Sequence, residues 1–197
     1  MLHAAPTVSF SPEQESAWLG LLEHFYSRHG LPLPRLERVK GLQVPQPYRK
    51  LLVHSSDMTP TLEGFYGQRL GLRVLSRRRF EDSYYREVTL FLEPDLRPVE
   101  YGVIRIYLEH LPAPARQRVL GEQTPLGTIL HREGVPHLGW PQSFFRTETD
   151  PNTCKALCVV GERELYGRRN VLLDGSRRLI ADVIEILAPV PAAIESE

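Results

Sequence analysis

The stretch that decides the fold runs from Arg163 to Leu187: Arg163-Glu164-Leu165-Tyr166-Gly167-Arg168-Arg169-Asn170-Val171-Leu172-Leu173, then Asp174-Gly175-Ser176-Arg177, then Arg178-Leu179-Ile180-Ala181-Asp182-Val183-Ile184-Glu185-Ile186-Leu187. Two β-rich runs flank an Asp-Gly pair, a turn in which left-handed backbone comes at little cost, so the segment reads as a hairpin. The second run is apolar on both faces, as a covered central strand must be. Upstream, Leu72–Phe80, Tyr84–Leu92 and Val99–Leu108 are further strand-like runs, with Glu93-Pro94-Asp95 turning between the last two. Gln142–Thr149 adds another. Short turns between neighbouring strands imply antiparallel pairing. Pro112–Leu120 and Pro125–Arg132 read as short helices, the second capped by Thr124. Strand runs interrupted by helices, without βαβ alternation, predict an α+β fold: an antiparallel sheet with helices covering one face.

The N-terminal region has a different character. Ser11-Pro12-Glu13-Gln14 is a helix start, and Trp18, Leu21, Leu22, Phe25 and Tyr26 follow at helical spacing until Gly30. That face packs on the core or on a partner. Pro32, Pro34, Pro45 and Pro47 then mark an extended connector. The expected organisation is residues 1–50 as helix and connector, 51–190 as the main domain, and 191–197 as a tail.

Composition excludes several classes. The 197 residues carry 24 Lys+Arg against 24 Asp+Glu, a formal charge of zero, which argues against a protein that lives on nucleic acid. No apolar run is long enough to span a bilayer, and the N-terminus lacks a basic start followed by an apolar stretch, so a cytoplasmic location is expected. The 7 histidines show no metal-ligand spacing. Cys154 and Cys158 cannot form a four-thiolate site; four residues apart, they read as small buried side chains on one helix face. No phosphate-binding glycine loop is present.

Strand alternation singles out Arg86 and Glu185. Arg86 shares its face with Tyr84, Val88, Leu90 and Leu92, so it either snorkels at the sheet rim, the commoner fate, or holds an anion inside. Glu185 shares its face with Ala181, Val183 and Leu187. It is either a carboxyl tuned by burial for proton transfer or one half of an ion pair with an arginine on the next strand. His54, Ser55 and Asp57 lie together but read as loop chemistry, because triads are built from spatial neighbours. Arg77-Arg78-Arg79 and Arg168-Arg169 read as solvated strand edges.

Several segments together resemble the chorismate pyruvate-lyase family, in matching order over about residues 50–190. Leu165-Tyr166-Gly167-Arg168-Arg169-Asn170 with Ile184-Glu185-Ile186-Leu187-Ala188-Pro189 is similar to its closing segment. Thr124-Pro125-Leu126-Gly127 is similar to its helix-entry motif, Tyr85-Arg86-Glu87-Val88 to its substrate-arginine strand, and Ser56-Asp57-Met58-Thr59 to its early turn. The resemblance implies a ligand held under helical flaps, on a fold related to the ligand-sensing domain of bacterial regulators. It implies a carbon–oxygen lyase that turns chorismate into 4-hydroxybenzoate and pyruvate, as in ubiquinone biosynthesis, without metal or organic cofactor. Arg86, helped by the backbone amide of Met58, would anchor the ring carboxylate. Glu185 would act at the enolpyruvyl ether and ring hydroxyl, with the backbone at Leu126 closing over them. Tyr84, Tyr85 and Arg105 around Arg86 depart from the pattern, as does the N-terminal helix. The other reading is a binding or sensing protein for a small aromatic or cyclic acid that does no chemistry.

Overall fold

The computed structural model describes residues 12–191, with side chains from residue 20 onward. Seven strands form one antiparallel sheet: β1 (Leu36–Val39), β2 (Leu70–Phe80), β3 (Ser83–Leu92), β4 (Pro98–Tyr107), β5 (His137–Glu148), β6 (Glu164–Asp174) and β7 (Leu179–Leu187). Their spatial order is β1-β5-β6-β7-β4-β3-β2. The doubly apolar run 179–187 is therefore the central strand. The helices are α1 (Pro12–Arg28), α2 (Tyr48–Leu52), α3 (Met58–Tyr66), α4 (Ala113–Leu120), α5 (Leu126–Arg132) and α6 (Pro151–Leu157). Among the described residues no helix is long and apolar enough to cross a membrane.

One sheet face is covered by α2–α5, and its core falls into two clusters. Ile104, Ile106, Leu172, Ile180 and Val183 pack with Val119, Leu126, Ile129 and Leu130 of α4 and α5. Leu90, Leu92, Val99 and Leu187 pack with Leu51, Leu52, Met58 and Leu62 of α2 and α3. The other face is covered by α1 and α6. Leu21, Leu22, Phe25 and Tyr26 are buried there against Tyr101, Val103, Ile184 and Ile186, so this face of α1 is core and not a free docking surface. Each such side chain contributes about 1.5–3 kcal/mol by leaving water. Polar bonds fix the placement: buried Glu87 accepts from Tyr101 Oη (2.7 Å) and Asn152 Nδ2 (2.8 Å) and pairs with His29 Nε2 (2.9 Å).

Some local expectations need correcting. The proline-rich stretch is not extended connector throughout: its proline-free part, Leu36–Val39, is strand β1 on the end of β5. The residue capping α5 is Pro125, with no side-chain cap bond, so Thr124 does not cap it. Cys158 is not on a helix face. It closes α6 in left-handed backbone (φ 54°) and is exposed, while Cys154 is half-buried. Ser11 and the side chain of Trp18 lie outside the described residues.

Candidate functional site

A cavity with about 580 Å³ of space outside its lining atoms, part of it continuous with solvent, lies on the helix-covered face along the seam between the two core clusters. Its floor is a patch of four strands. Register places Arg86 beside Ile104, Ile104 beside Val183, and Val183 beside Asn170. The next row is Val88, Gly102, Glu185 and Arg168, and beyond it lie Leu90 and Glu100. Gly102 gives the floor its depth: a Cβ there would stand 3.2 Å from Val88 Cγ2 and 3.3 Å from Glu100 Oε1. Asp57, Met58 and Leu126 line the walls at the starts of α3 and α5.

Of the four residues the family resemblance singled out, Arg86, Glu185, Met58 and Leu126, all line this cavity. Their chemical states are unequal. Arg86 is not at the rim: it is 2% exposed, and its Nε and Nη1 meet no hydrogen-bond partner among the described residues. Burial lowers its pKa to about 10, so it remains a cation at neutral pH. Tyr84 and Glu122 favour that charge from nearby, but Glu122 is engaged by Tyr84 Oη and by Arg77.

Glu185 is the opposite case. Its Oε2 accepts from Nε of Arg168 at 2.5 Å. Arg168, far from a solvated edge, is 0% exposed and each of its three nitrogens has a partner: Nη1 donates to the carbonyls of Leu52 (3.2 Å) and His54 (3.0 Å), and Nη2 to that of Ser56 (3.3 Å). The pair is thus a strut that ties the loop before α3 to the sheet. Its neighbour Arg169 is also no free edge residue, since it pairs with Asp182 (2.8 and 3.0 Å). Only the Arg77–Arg79 run behaves as read, exposed on β2.

Two polar residues of the cavity were missed in sequence. Glu100 is buried on β4, and burial, reinforced by the charge of Glu185 and opposed by Arg168, pushes its carboxyl pKa well above the usual range. Its signal was the one used for Glu185: an acid sharing a face with Gly102, Ile104 and Ile106. Asn170, also buried, lies across the floor from Arg86.

His54, Ser55 and Asp57 do not assemble into a triad. His54 supplies one of the loop carbonyls that Arg168 holds, Ser55 none of them, and Asp57 accepts from His137 Nε2 at 2.8 and 3.0 Å. The bond to Asp57 is the main cause of a raised His137 pKa, with burial opposing it. Because the folded value exceeds the unfolded one, this contribution to stability is complete below about pH 6.5 and is lost as pH rises through the folded value. The melting-temperature gap between wild type and His137→Gln should therefore be widest near pH 6 and shrink by pH 8.5. A gap constant over that range would remove charge from the account. Among the described residues no group of His, Cys, Asp and Glu is arranged to hold a metal ion.

No family model matches the chain, and no curated protein matches it in sequence. Among solved structures it is similar to PhnF from Mycobacterium smegmatis, at 13% identity over 88% of this chain and 80% of that one, with a TM-score of 0.51. The effector domain of PhnF aligns with 66% of this chain and 87% of its own length, at 10% identity and a TM-score of 0.50. A GntR-family transcriptional regulator from Bacillus cereus gives a weaker likeness, at 11% identity over 60% of this chain and 90% of that one, with a TM-score of 0.44. At such identities what is shared is the fold. The expected α+β class holds: a seven-stranded antiparallel sheet with helices, of the effector-domain type.

Proposed function

We propose that this protein binds a small organic acid in the cavity and senses it without converting it. The observation that carries this reading is Arg86, a buried guanidinium on the cavity lining whose Nε and Nη1 meet no hydrogen-bond partner, and which makes no ion pair, among the described residues. An unpaired buried charge costs several kcal/mol, a cost that an anionic ligand offsets. Two further points support binding over catalysis. Glu185, the acid a lyase would use at the leaving oxygen, is engaged as counter-ion to Arg168. The solved structures that share the fold include the effector domain of PhnF.

The test is calorimetric titration of the purified protein with benzoate and 4-hydroxybenzoate, alongside an assay of chorismate for pyruvate release. One-to-one binding without turnover is expected. Gly102→Ala should weaken binding at least tenfold, because its methyl group takes the space beside Val88 and Glu100. Equimolar pyruvate and 4-hydroxybenzoate from chorismate would replace sensing by the lyase reading. No binding of any small carboxylate would end both.

A further inference from the structure

The sheet ends on β2, and among the described residues no strand lies beyond it. This edge is 11 residues long and carries four arginines, Arg73, Arg77, Arg78 and Arg79, and no acid. Two bonds show which of its main-chain groups point away from β3. Glu63 accepts from the N–H of Leu70 (3.0 Å), and Arg28 donates to the carbonyl of Arg77 (3.2 Å). An antiparallel strand with one neighbour bonds to it through every second residue, so Leu72 and Val74 point outward with Leu70, and Arg79 with Arg77. The outward groups of Leu72, Val74 and Arg79 meet no protein partner among the described residues. The flanking side chains are basic on both faces. Arg73 lies opposite Thr89 and Arg78 opposite Tyr85, residues that pack toward α6 and α1, while Arg77 and Arg79 stand on the opposite face. Arg77 is engaged by Glu122; Arg73, Arg78 and Arg79 make no ion pair among the described residues. Instead Arg73 lies 5.2 Å from the centroid of the Phe91 ring and Arg78 5.9 Å from that of Phe80. Repelling like edges needs only charge, whereas guanidinium forks held against rings are pre-organised to receive carboxylates.

We propose that β2 is a docking edge on which an extended acidic segment of another protein adds as a further strand. Its main chain bonds to Leu72 and Val74 on one side of the bulge at Leu75 and to Arg79 on the other, and its carboxylates meet Arg73, Arg78 and Arg79. Charge and hydrogen bonding together exclude the other occupants. A second copy of β2 would set arginines against arginines, and like charges facing each other across strands are destabilising. The open edge at the other end of the sheet, β1 with the part of β5 before Phe144, offers a single acid, Glu37, already held by Arg146. A nucleic acid would satisfy the arginines but not the edge, because its phosphodiester backbone only accepts and the outward carbonyls need donors. The surface is separate from the acid cavity, since neither Arg73 nor Arg78 lines it.

The test measures fluorescence anisotropy of a labelled peptide of alternating glutamate and threonine, about as long as β2, titrated with the full chain at low salt. Three controls accompany it: the same peptide with lysine for glutamate, the same peptide N-methylated along one hydrogen-bonding edge, and an oligothymidylate of equal length. The glutamate peptide should bind and slow amide exchange at Leu72, Val74 and Arg79, and the lysine and N-methylated peptides should bind at least tenfold more weakly. The double variant Arg73→Gln with Arg78→Gln, both exposed and confirmed folded by the melting curve, should lose at least tenfold in affinity for the glutamate peptide. No binding of that peptide, or equal binding by the double variant, overturns the proposal. Full binding of the N-methylated peptide overturns strand addition, and displacement of the peptide by an equal concentration of oligothymidylate would make the edge a general polyanion surface instead.

Discussion

Arg86→Met is expected to make the ligand-free protein more stable while weakening acid binding at least a hundredfold. Methionine keeps the length and flexibility of the side chain and removes a charge whose Nε and Nη1 have no hydrogen-bond partner among the described residues. Replacing buried charged groups by apolar ones of similar volume is neutral or stabilising by about 1–4 kcal/mol. For a chain of this size that corresponds to a rise in melting temperature of roughly 2–15 °C. Scanning calorimetry with and without 4-hydroxybenzoate reads both effects at once. A drop of several degrees in the ligand-free variant would mean that the guanidinium holds the fold together, and the anion site would lose its basis.

Arg168→Ala should do the reverse. Arg168 is buried like Arg86, but all of its work is internal. Its loss leaves Glu185 without its counter-ion and strips the donors from the carbonyls of Leu52, His54 and Ser56. Breaking a buried pair from one side costs about 3–5 kcal/mol. The urea midpoint should fall accordingly, and acid binding should fall with it, because the freed loop leads directly into Asp57 and Met58 on the cavity wall. The double variant Arg168→Met with Glu185→Met should recover most of that stability, since neither charge is then left alone. A double variant as unstable as Arg168→Ala would show that the carbonyl contacts, not the ion pair, hold the loop.

The contrast between these two arginines marks how far the sequence could be read. Periodicity carried the strands well: every strand from β2 to β7 was placed, and the doubly apolar run 179–187 declared itself central. It missed β1, a four-residue strand hidden among prolines. Alternation also found Arg86 and Glu185 as charged residues on apolar faces. It could not say which of them was already paired. Extending the pairing next to the turn, Leu173 with Leu179, sets Arg168 opposite Ile184. A register shift between Leu172 and Leu173 slides the strands by one residue, so that Arg168 faces Glu185. Such a bulge is a tertiary outcome with no reliable local signal. Glu100 was missed for a different reason. Its partners on the floor come from strands far away in sequence, and only the assembled sheet shows that it, and not Glu185, is the acid without a counter-ion.

The seam on which the cavity lies has a consequence for the lifetime of the molecule. An acid seated there touches Leu126, Leu172 and Val183 on one side and Met58 and Leu90 on the other, so it bridges two halves of a core that otherwise meet across a gap. Ligand free energy then adds directly to folding free energy, about 2.7 kcal/mol at a concentration a hundredfold above the dissociation constant. Pulse proteolysis with and without 4-hydroxybenzoate should show this as a longer survival of the intact chain. In a cell the same linkage would tie the abundance of the chain to the supply of such an acid, because the unliganded form unfolds more often. A molecule built this way reports on its ligand by how long it lasts, before any helix has moved.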